Sequence, residues 1–315
     1  MSNKIFAVVA LTVAIALAAV TQLIPNEYFF SAAYTVLLFV ILATAWNILG
    51  GYTGYVNFGS AAFFAIGAYT TVFFYNAFKA PLLVGIVAGT LVAGLAGLGL
   101  GYLTLRLRGV FFAIASLALA VVLFIFVVNW DYVGGARGAY VLQPRDVPFG
   151  LPRYIHLIYA VQLLMAAFAL VVARAIERST LGRGLAAISD DELAAECSGV
   201  PTLKLKIFST MASCALMGMA GTTFPYYLSY IEPSSAFSLS YAVNSIAMPL
   251  IGGMMSWIGP LIGAVLLGSV QQLVQVTVSS AWNLLIVGVL LVLFVTLAPN
   301  GIMGWVDAWR RRKGR

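Results

Sequence analysis

The sequence predicts an all-α, polytopic membrane protein with about ten transmembrane helices. Hydrophobic residues make up 62% of the 315 residues and charged residues only 9%, whereas soluble globular domains carry about 25% charged residues. Too few charges remain to cover a water-facing surface. The apolar residues also fall into runs of about 20, which is the length that crosses a bilayer as a helix.

Ten apolar segments approach the length of a spanning helix, all within one predicted domain of residues 1–315. They are residues 5–24, 31–49, 60–78, 82–105, 110–128, 155–173, 207–223, 240–251, 260–278 and 282–298. The eighth is short for a full crossing and carries Pro249. The first is predicted to remain as a span. A cleaved signal peptide is the alternative, because Lys4 precedes an apolar core.

Glycines interrupt the apolar pattern in two places. The run 50–59, GGYTGYVNFG, is neither a clean helix nor a water-soluble loop. We predict an unwound segment within the membrane, since broken backbone is tolerated there when it lines a cavity. The fourth predicted span is also rich in glycine. These glycines are predicted to let helix backbones approach closely.

The positions of Lys and Arg predict which side of the membrane each loop faces. With an even number of spans and the N-terminus inside, thirteen of them lie on the cytoplasmic side and four outside. The four are Lys79, Arg137, Arg145 and Arg153. Cytoplasmic loops carry such an excess of positive charge. We therefore expect cytoplasmic termini, periplasmic loops at residues 129–154 and 225–237, and a cytoplasmic loop at residues 179–206.

The interiors of the predicted spans contain no Asp, Glu, Lys or Arg. Ion-coupled carriers usually hold ionisable groups near the midplane, so this absence favours passive conduction or an energy source elsewhere. Uncharged polar residues are the remaining candidates for a solute pathway. They are Asn47, Tyr52, Asn57, Asn244, Gln271 and Gln275. The alternative for each is a hydrogen bond between helices.

The sequence offers few residues for catalytic or metal chemistry. It has one histidine, His156, and two cysteines, Cys197 and Cys214, which lie in no metal-binding spacing. No Ser/His/Asp or Cys/His set can be nominated, so we predict a non-enzymatic protein with no cofactor and no metal. The positive charge lies beside the predicted spans, which indicates contact with membrane lipid rather than with nucleic acid.

The cytoplasmic loop is polar and predicts a short helix outside the bilayer. Ser189 followed by Glu192 has the form of a capping box. The acidic residues Asp190 and Asp191 would occupy the first turn, and Gly199 can end the helix. A linker does not need a helix with two defined ends, whereas a docking surface does. The sequence contains no phosphate-binding loop of the form G-x-x-x-x-G-K-[ST]. If ATP drives transport, the ATPase is another polypeptide.

Four stretches carry a resemblance to a known family. They are GYTGYVNFGSAAFFAIGAY (51–69), LRGVFFAIASLALA (107–120), STLGRGLAAISDDELAAECSGV (179–200) and IGGMMSWIGPLIGAVLLGSVQQ (251–272). Together they resemble the membrane subunits of bacterial branched-chain amino-acid ABC importers, in the same order over nearly the whole chain. The resemblance is greatest to the second of two unlike permease subunits, which has the longer loop after the fifth span.

The resemblance implies a permease that forms half of a translocation pathway in the bacterial inner membrane. The implied partners are a second permease in a heterodimer, two ABC ATPases that hydrolyse ATP, and a periplasmic substrate-binding protein. In the family, a coupling helix inserts into a cleft of the ATPase. It maps by position to residues 184–198. Related urea and amide importers share the motifs, so the solute stays open. A stand-alone channel or secondary carrier is the alternative class.

Two sets of contact residues follow from these expectations. The candidates for ATPase coupling are Gly184, Asp190, Asp191, Glu192, Ala194, Ala195, Glu196 and Gly199. The candidates for ion pairs with an acidic surface of the binding protein are Arg137, Arg145 and Arg153. For each arginine, ordinary solvation is the alternative.

Overall fold

A computed structural model describes residues 27–104, 107, 109–143, 153–277 and 301–304, with the single residues 12, 285, 288, 289, 292 and 296. Apart from these single residues, the predicted spans 5–24 and 282–298 lie outside the described residues. The docking candidate Arg145 lies outside them as well.

The described part is helical apart from one two-stranded sheet and short turns. Its helices in chain order are α1 (Glu27–Thr53), α2 (Ser60–Phe78), α3 (Leu82–Thr104), α4 (Val110–Val128), α5 (Tyr154–Glu177), α6 (Thr180–Asp190), α7 (Glu192–Cys197), α8 (Thr202–Gly221), α9 (Phe224–Leu228), α10 (Pro233–Ala236), α11 (Leu239–Gly252) and α12 (Ile258–Thr277). Seven helical segments are long and apolar enough to cross a membrane. The all-α, multi-pass class is therefore confirmed, whereas the count of about ten spans is not.

The predicted eighth span corresponds to α11, which has only 14 residues. At 1.5 Å per residue it extends about 21 Å, less than the ~30 Å of a hydrocarbon core. Pro249 lies inside the helix, where its missing N–H removes one helical hydrogen bond. This helix is accordingly not among the seven segments long enough to span.

The glycine-rich run 50–59 is helical in its first part, contrary to the expectation that it is unwound throughout. Helix α1 continues through Gly50 and Gly51 to Thr53, and residues 54–59 are non-helical. The first two glycines serve close packing, because a Cβ there would overlap the side chains of Trp46 and Asn47. Only the third glycine, at position 54, has a positive φ of 75°, and the helix ends there because this backbone conformation suits glycine.

The core is organised around α1 and α8. Every residue of α1 from Leu38 to Thr53 is buried, and α1 packs against α5, α8, α11 and α12. By contrast, α3 and α4 expose large apolar side chains such as Leu91, Leu95 and Phe111. Outward-facing apolar residues suit a helix that contacts lipid.

Helix α5 connects the two ends of the bundle. It has 24 residues with no internal Gly or Pro and is therefore about 36 Å long. Near its start, the Tyr154 ring lies 6.0 Å from the Tyr226 ring, and β1 (Ala139–Tyr140) pairs antiparallel with β2 (Tyr230–Ile231). We call this the two-strand end. The short helices α6 and α7 follow its last residue and mark the loop-helix end.

Glycines bring α3 and α8 into close contact. A Cβ on Gly97 would overlap the Cβ of Cys214, and a Cβ on Gly218 would overlap that of Ala93. Two residues further along α3, Gly99 has no neighbouring atom within 4 Å of the corresponding position. The structure therefore supports the expected packing role for Gly97 but not for Gly99.

Replacing Gly97 by alanine is expected to lower the thermal stability of the purified protein. The added methyl group has no room against Cys214, and overpacking typically costs about 1–3 kcal/mol. Gly99→Ala is the matched control on the same helix, and its midpoint is expected to hold or rise because helical glycine is entropically unfavourable. Circular dichroism during heating in detergent gives both midpoints. Equal midpoints for the two variants would contradict the close contact.

Candidate functional site

The polar loop between α5 and α8 contains two helices rather than the single one expected. The Ser179 hydroxyl caps α6 by accepting from the backbone N–H of Gly182 at 3.3 Å. The carboxylate of Asp191 caps α7 by accepting from the N–H groups of Leu193 and Ala194 at 2.9 and 3.0 Å. The predicted capping box at Ser189 is therefore wrong. Ser189 lies in the last turn of α6, and Asp191 has the extended backbone that an N-cap requires.

The predicted end of the short helix at Gly199 is confirmed. Its φ is +82°, and its N–H donates to Glu196 O at 3.0 Å. The next N–H, from Val200, donates to Ala195 O at 3.0 Å. These two hydrogen bonds form a Schellman motif, which satisfies carbonyls at the helix end. Both ends of α7 are thus fixed by side-chain or backbone hydrogen bonds.

A buried ion pair holds α7 against the bundle. The Lys206 ammonium donates to Glu192 Oε1 at 2.6 Å, and the two side chains are only 9% and 15% exposed. The Tyr55 hydroxyl donates to the other carboxylate oxygen and accepts from Lys206 at 3.2 Å. We call these three residues the Glu192 latch. It joins α7 to the start of α8 and to the non-helical segment 54–59.

A second set of contacts joins three helices at the same end. The Glu177 carboxylate, in the last turn of α5, accepts from the Tyr52 hydroxyl at 3.3 Å. The same oxygen accepts from the Trp257 backbone N–H at 2.6 Å, and Arg174 lies over the Trp257 ring, 5.0 Å from its centroid. Tyr52, a predicted pathway residue, therefore helps to hold α1 and α5 against the turn before α12.

The remaining coupling candidates divide between packing and an outward surface. On α7, Ala195 is buried whereas Ala194 and Glu196 are exposed, as are Asp190 and Asp191 before it. Gly184 lies on α6 against Leu205, whose side chain a Cβ would contact. The exposed face of α7 also includes Leu193, which is 59% exposed, and Cys197. These exposed residues lie on the side of α7 that faces away from the bundle.

Three predicted pathway residues line one polar cavity. Asn244 on α11 accepts a hydrogen bond from Gln271 on α12 at 2.8 Å, and Gln275 lies one turn further along α12. With Thr35 on α1 and Glu232 before α10, they border a cavity of about 400 Å³. The helix ends that contribute these residues place the cavity at the two-strand end. We call it the polar cavity.

The other predicted pathway residues lie nearer the loop-helix end. Asn47 donates to Ser256 O at 3.4 Å, and Asn57 Oδ1 accepts from the Gly59 N–H at 2.8 Å. Asn57 is fully buried, and its side-chain nitrogen has no hydrogen-bond partner among the described residues. The structure thus separates the six candidates into a group at the polar cavity and a group around the end of α1.

The two predicted periplasmic loops meet in the two-stranded sheet. Ala139 pairs with Ile231, and the Tyr230 hydroxyl donates to Arg137 O at 2.7 Å. Arg137 is exposed beside this sheet. Arg153, another docking candidate, lies before the start of α5 and forms an exposed ion pair with Glu27 at the start of α1.

Sequence reasoning missed four residues that organise these sites: Tyr55, Glu177, Lys206 and Glu232. The partners Tyr55 and Lys206 are 151 residues apart, so no local pattern connects them. The available signal was a basic residue at the start of an apolar helix and a tyrosine inside the glycine-rich run. Neither signal identifies the residue with which Tyr55 or Lys206 forms its hydrogen bond.

The fold and the site define a multi-pass membrane protein with a polar cavity between its helices and a fixed polar helix outside them. Residues 28–295 match the family described as "Branched-chain amino acid transport system / permease component". The chain therefore belongs to the branched-chain amino acid ABC permease family, and the resemblance carried by its motifs is confirmed.

Related proteins are permeases of transport systems. The chain is 27% identical over 291 residues to the high-affinity branched-chain amino acid transport system permease protein LivM of Salmonella typhimurium, covering 85% of this chain and 68% of the relative. It is 26% identical to LivM of Escherichia coli K12, with the same coverage. The ribose import permease protein RbsC of Haemophilus influenzae is 28% identical over 131 residues, 40% of each chain. No solved structure matches the chain.

Breaking the Glu192 latch on one side is expected to destabilise the protein. Glu192→Gln or Lys206→Met leaves the partner charge buried and uncompensated, which typically costs about 3–5 kcal/mol. The double variant is expected to recover much of the loss, because both charges are then gone. Unfolding can be followed in a Cys197→Ser background through the reactivity of the buried Cys214.

Glu196→Gln provides the control for this series, since it neutralises an exposed acid on the same helix. A small shift is expected there, because exposed charges contribute little to stability. Additive losses in the double variant would show that Glu192 and Lys206 do not act as a pair.

Proposed function

We propose that this chain is a permease subunit of an ATP-driven importer for branched-chain or other neutral amino acids. The family and the LivM relatives support this solute class. The observation that carries the proposal is α7, a short helix outside the apolar segments that is capped at both ends, latched to the bundle and exposed along one face. Such a helix suits the contact through which a separate ATPase acts.

The proposed assembly follows from the family and from the distribution of charge. The chain pairs with a second permease as a heterodimer, binds two ABC ATPases at its loop-helix end, and receives solute from a periplasmic binding protein at its two-strand end. The excess of Lys and Arg near the loop-helix end supports cytoplasmic termini in the bacterial inner membrane. In this arrangement, Arg137 and the exposed part of the two-stranded sheet face the binding protein.

The contacts of α7 suggest how its movement reaches the helices. Glu192 holds Tyr55, and Tyr55 belongs to the six-residue non-helical segment that leads directly into α2 at Ser60. The Ser60 hydroxyl is bonded to that of Ser245 on α11 at 2.8 Å, and both are fully buried. A displacement of α7 by the ATPase would therefore be passed through Tyr55 to the start of α2 and to its contact with α11.

The polar cavity is the proposed half-pathway on this chain. Its hydroxyl and amide lining is unfavourable against lipid and suits a polar solute. Ser245 follows Asn244 of the cavity lining, and in this proposal its hydrogen bond to Ser60 closes the route toward the loop-helix end. Asn47 and Asn57 lie beyond this point. Separation of α2 from α11 would open the route past them.

Reconstitution tests the proposed function. Proteoliposomes that hold both permeases and both ATPases are expected to take up leucine only with ATP and the leucine-loaded binding protein. Urea and ribose serve as competing solutes, since related importers carry an amide and a sugar. Leucine uptake by this chain alone, without ATPases, would instead indicate a stand-alone channel or carrier. Uptake of urea in place of leucine would instead indicate that the chain is the permease of a urea or amide importer.

Cys197 should report ATPase binding directly. It is exposed on α7 whereas Cys214 is buried, so a maleimide probe is expected to label only Cys197 in the purified folded chain. Assembly with the ATPase subunits is expected to suppress this labelling, because the docked surface excludes the probe. Mass spectrometry of the labelled peptides gives both yields, and denatured protein calibrates Cys214. Unchanged labelling of Cys197 in the assembled importer would place the ATPase elsewhere.

Leu193→Asp is expected to reduce ATP-driven leucine uptake strongly, because it puts a charge into the apolar part of the α7 surface. Leu181→Asp is the matched control. Leu181 is also an exposed leucine in the same loop, but it lies on α6 outside the segment expected to couple, so near-normal uptake is expected. Both are measured in proteoliposomes at equal protein content. Normal uptake by the Leu193 variant would contradict a docking role for α7.

A further inference from the structure

Among the described residues that line the polar cavity, Glu232 is the one acidic residue. The other described lining residues are mainly serines, glutamines, an asparagine and a threonine, and the set includes no Lys, Arg or His. The cavity volume of about 400 Å³ lies within the range of small-molecule sites. The described lining therefore has a negative side and a neutral, hydrogen-bonding side.

The position of Glu232 leaves its carboxylate at the mouth of the cavity. The residue follows β2 directly and precedes α10, with an extended backbone and no side-chain hydrogen bond to the helix it caps. It is exposed. Neither of the two ion pairs found among the described residues involves it. The carboxylate thus borders the polar cavity at the two-strand end, where solute enters in the proposed function.

The amide groups lie on α11 and α12, away from the Glu232 segment. The Gln271 amide nitrogen donates to Asn244 Oδ1 at 2.8 Å, which leaves the Asn244 amide nitrogen as a donor for other groups. Gln275 and the Ser240 hydroxyl border the same space. Amides and hydroxyls can donate to a carboxylate without adding positive charge. This side of the cavity therefore suits the anionic part of a solute.

We propose that Glu232 is a specificity-determining residue that admits solutes bearing an ammonium group next to a carboxylate. The ammonium group pairs with the Glu232 carboxylate, and the solute carboxylate takes the amide and hydroxyl donors of α11 and α12. A hydrogen bond that involves an ionised group is stronger than a neutral one. A zwitterionic amino acid gains this contact, whereas urea or a sugar carries no ammonium group and gains nothing from it. The proposal rests on the proposed amino-acid import and deepens it.

The test compares Glu232→Gln, which removes the charge but keeps the shape, with Glu232→Asp, which keeps the charge. Each variant is assembled with both ATPases and the second permease in proteoliposomes, with saturating leucine-loaded binding protein. Leucine uptake is expected to fall roughly tenfold or more for Glu232→Gln and to be largely retained for Glu232→Asp. ATP hydrolysis stimulated by the binding protein is measured in the same samples and is expected to stay near the wild-type rate for both.

The ATPase measurement separates a solute contact from a docking or folding defect. If uptake and stimulated hydrolysis fall together in Glu232→Gln, the residue serves docking or assembly and the inference is overturned. Wild-type uptake by this variant would overturn it as well. If the wild-type importer itself moves urea or ribose but no leucine, the proposed function fails first. The wild-type samples therefore distinguish that failure from a failure of the Glu232 assignment.

Discussion

The buried contact between Glu192 and Lys206 is the interaction on which the loop-helix end depends. Two charges with little exposure to water are tolerated because they neutralise each other and because Tyr55 satisfies the second carboxylate oxygen. The contact fixes which side of α7 faces the bundle, so Leu193 and Glu196 must point outward. It also brings the non-helical segment after α1 into the same cluster. Any displacement of α7 would therefore act on the start of two long helices, α2 and α8.

Local composition located several long helices, but it was insufficient for the loop between α5 and α8 and it wrongly counted the 14-residue α11 as a span. The predicted segments 60–78 and 110–128 coincide with α2 and α4, because each apolar run follows a glycine and is followed directly by a polar residue, Lys79 or Asn129. Inside the loop, Ser189 and Asp191 are equally good N-caps. In the structure Ser189 lies inside α6, which packs against α8 where Gly184 lies against Leu205. Such long-range packing leaves no local signal.

The candidate site was partly accessible from sequence for the same reason. Amides within apolar segments are conspicuous, and Asn244 and Gln271 do meet. The sequence gives the position of a residue along a span, but it does not give the side of the helix that faces the cavity. The hydroxyl of Tyr52, a predicted pathway residue, donates to Glu177 and lies away from the polar cavity. Glu232 was passed over because it lies in a loop. It directly follows residues 230–231, which pair with residues 139–140 about 90 positions earlier in the chain, and sequence alone does not reveal this pairing.

Helix α5 contains no glycine or proline at which to bend along its 24 residues. Arg153, which precedes its first residue, pairs with Glu27 at the start of α1. Gln162 accepts a hydrogen bond from Thr223 at 2.8 Å, and Glu177 in the last turn accepts one from the Trp257 backbone N–H. Sharp kinks arise mainly at such residues, so α5 is expected to tilt as one unit. A displacement of its last turn at the loop-helix end would then also shift its first turn at the two-strand end.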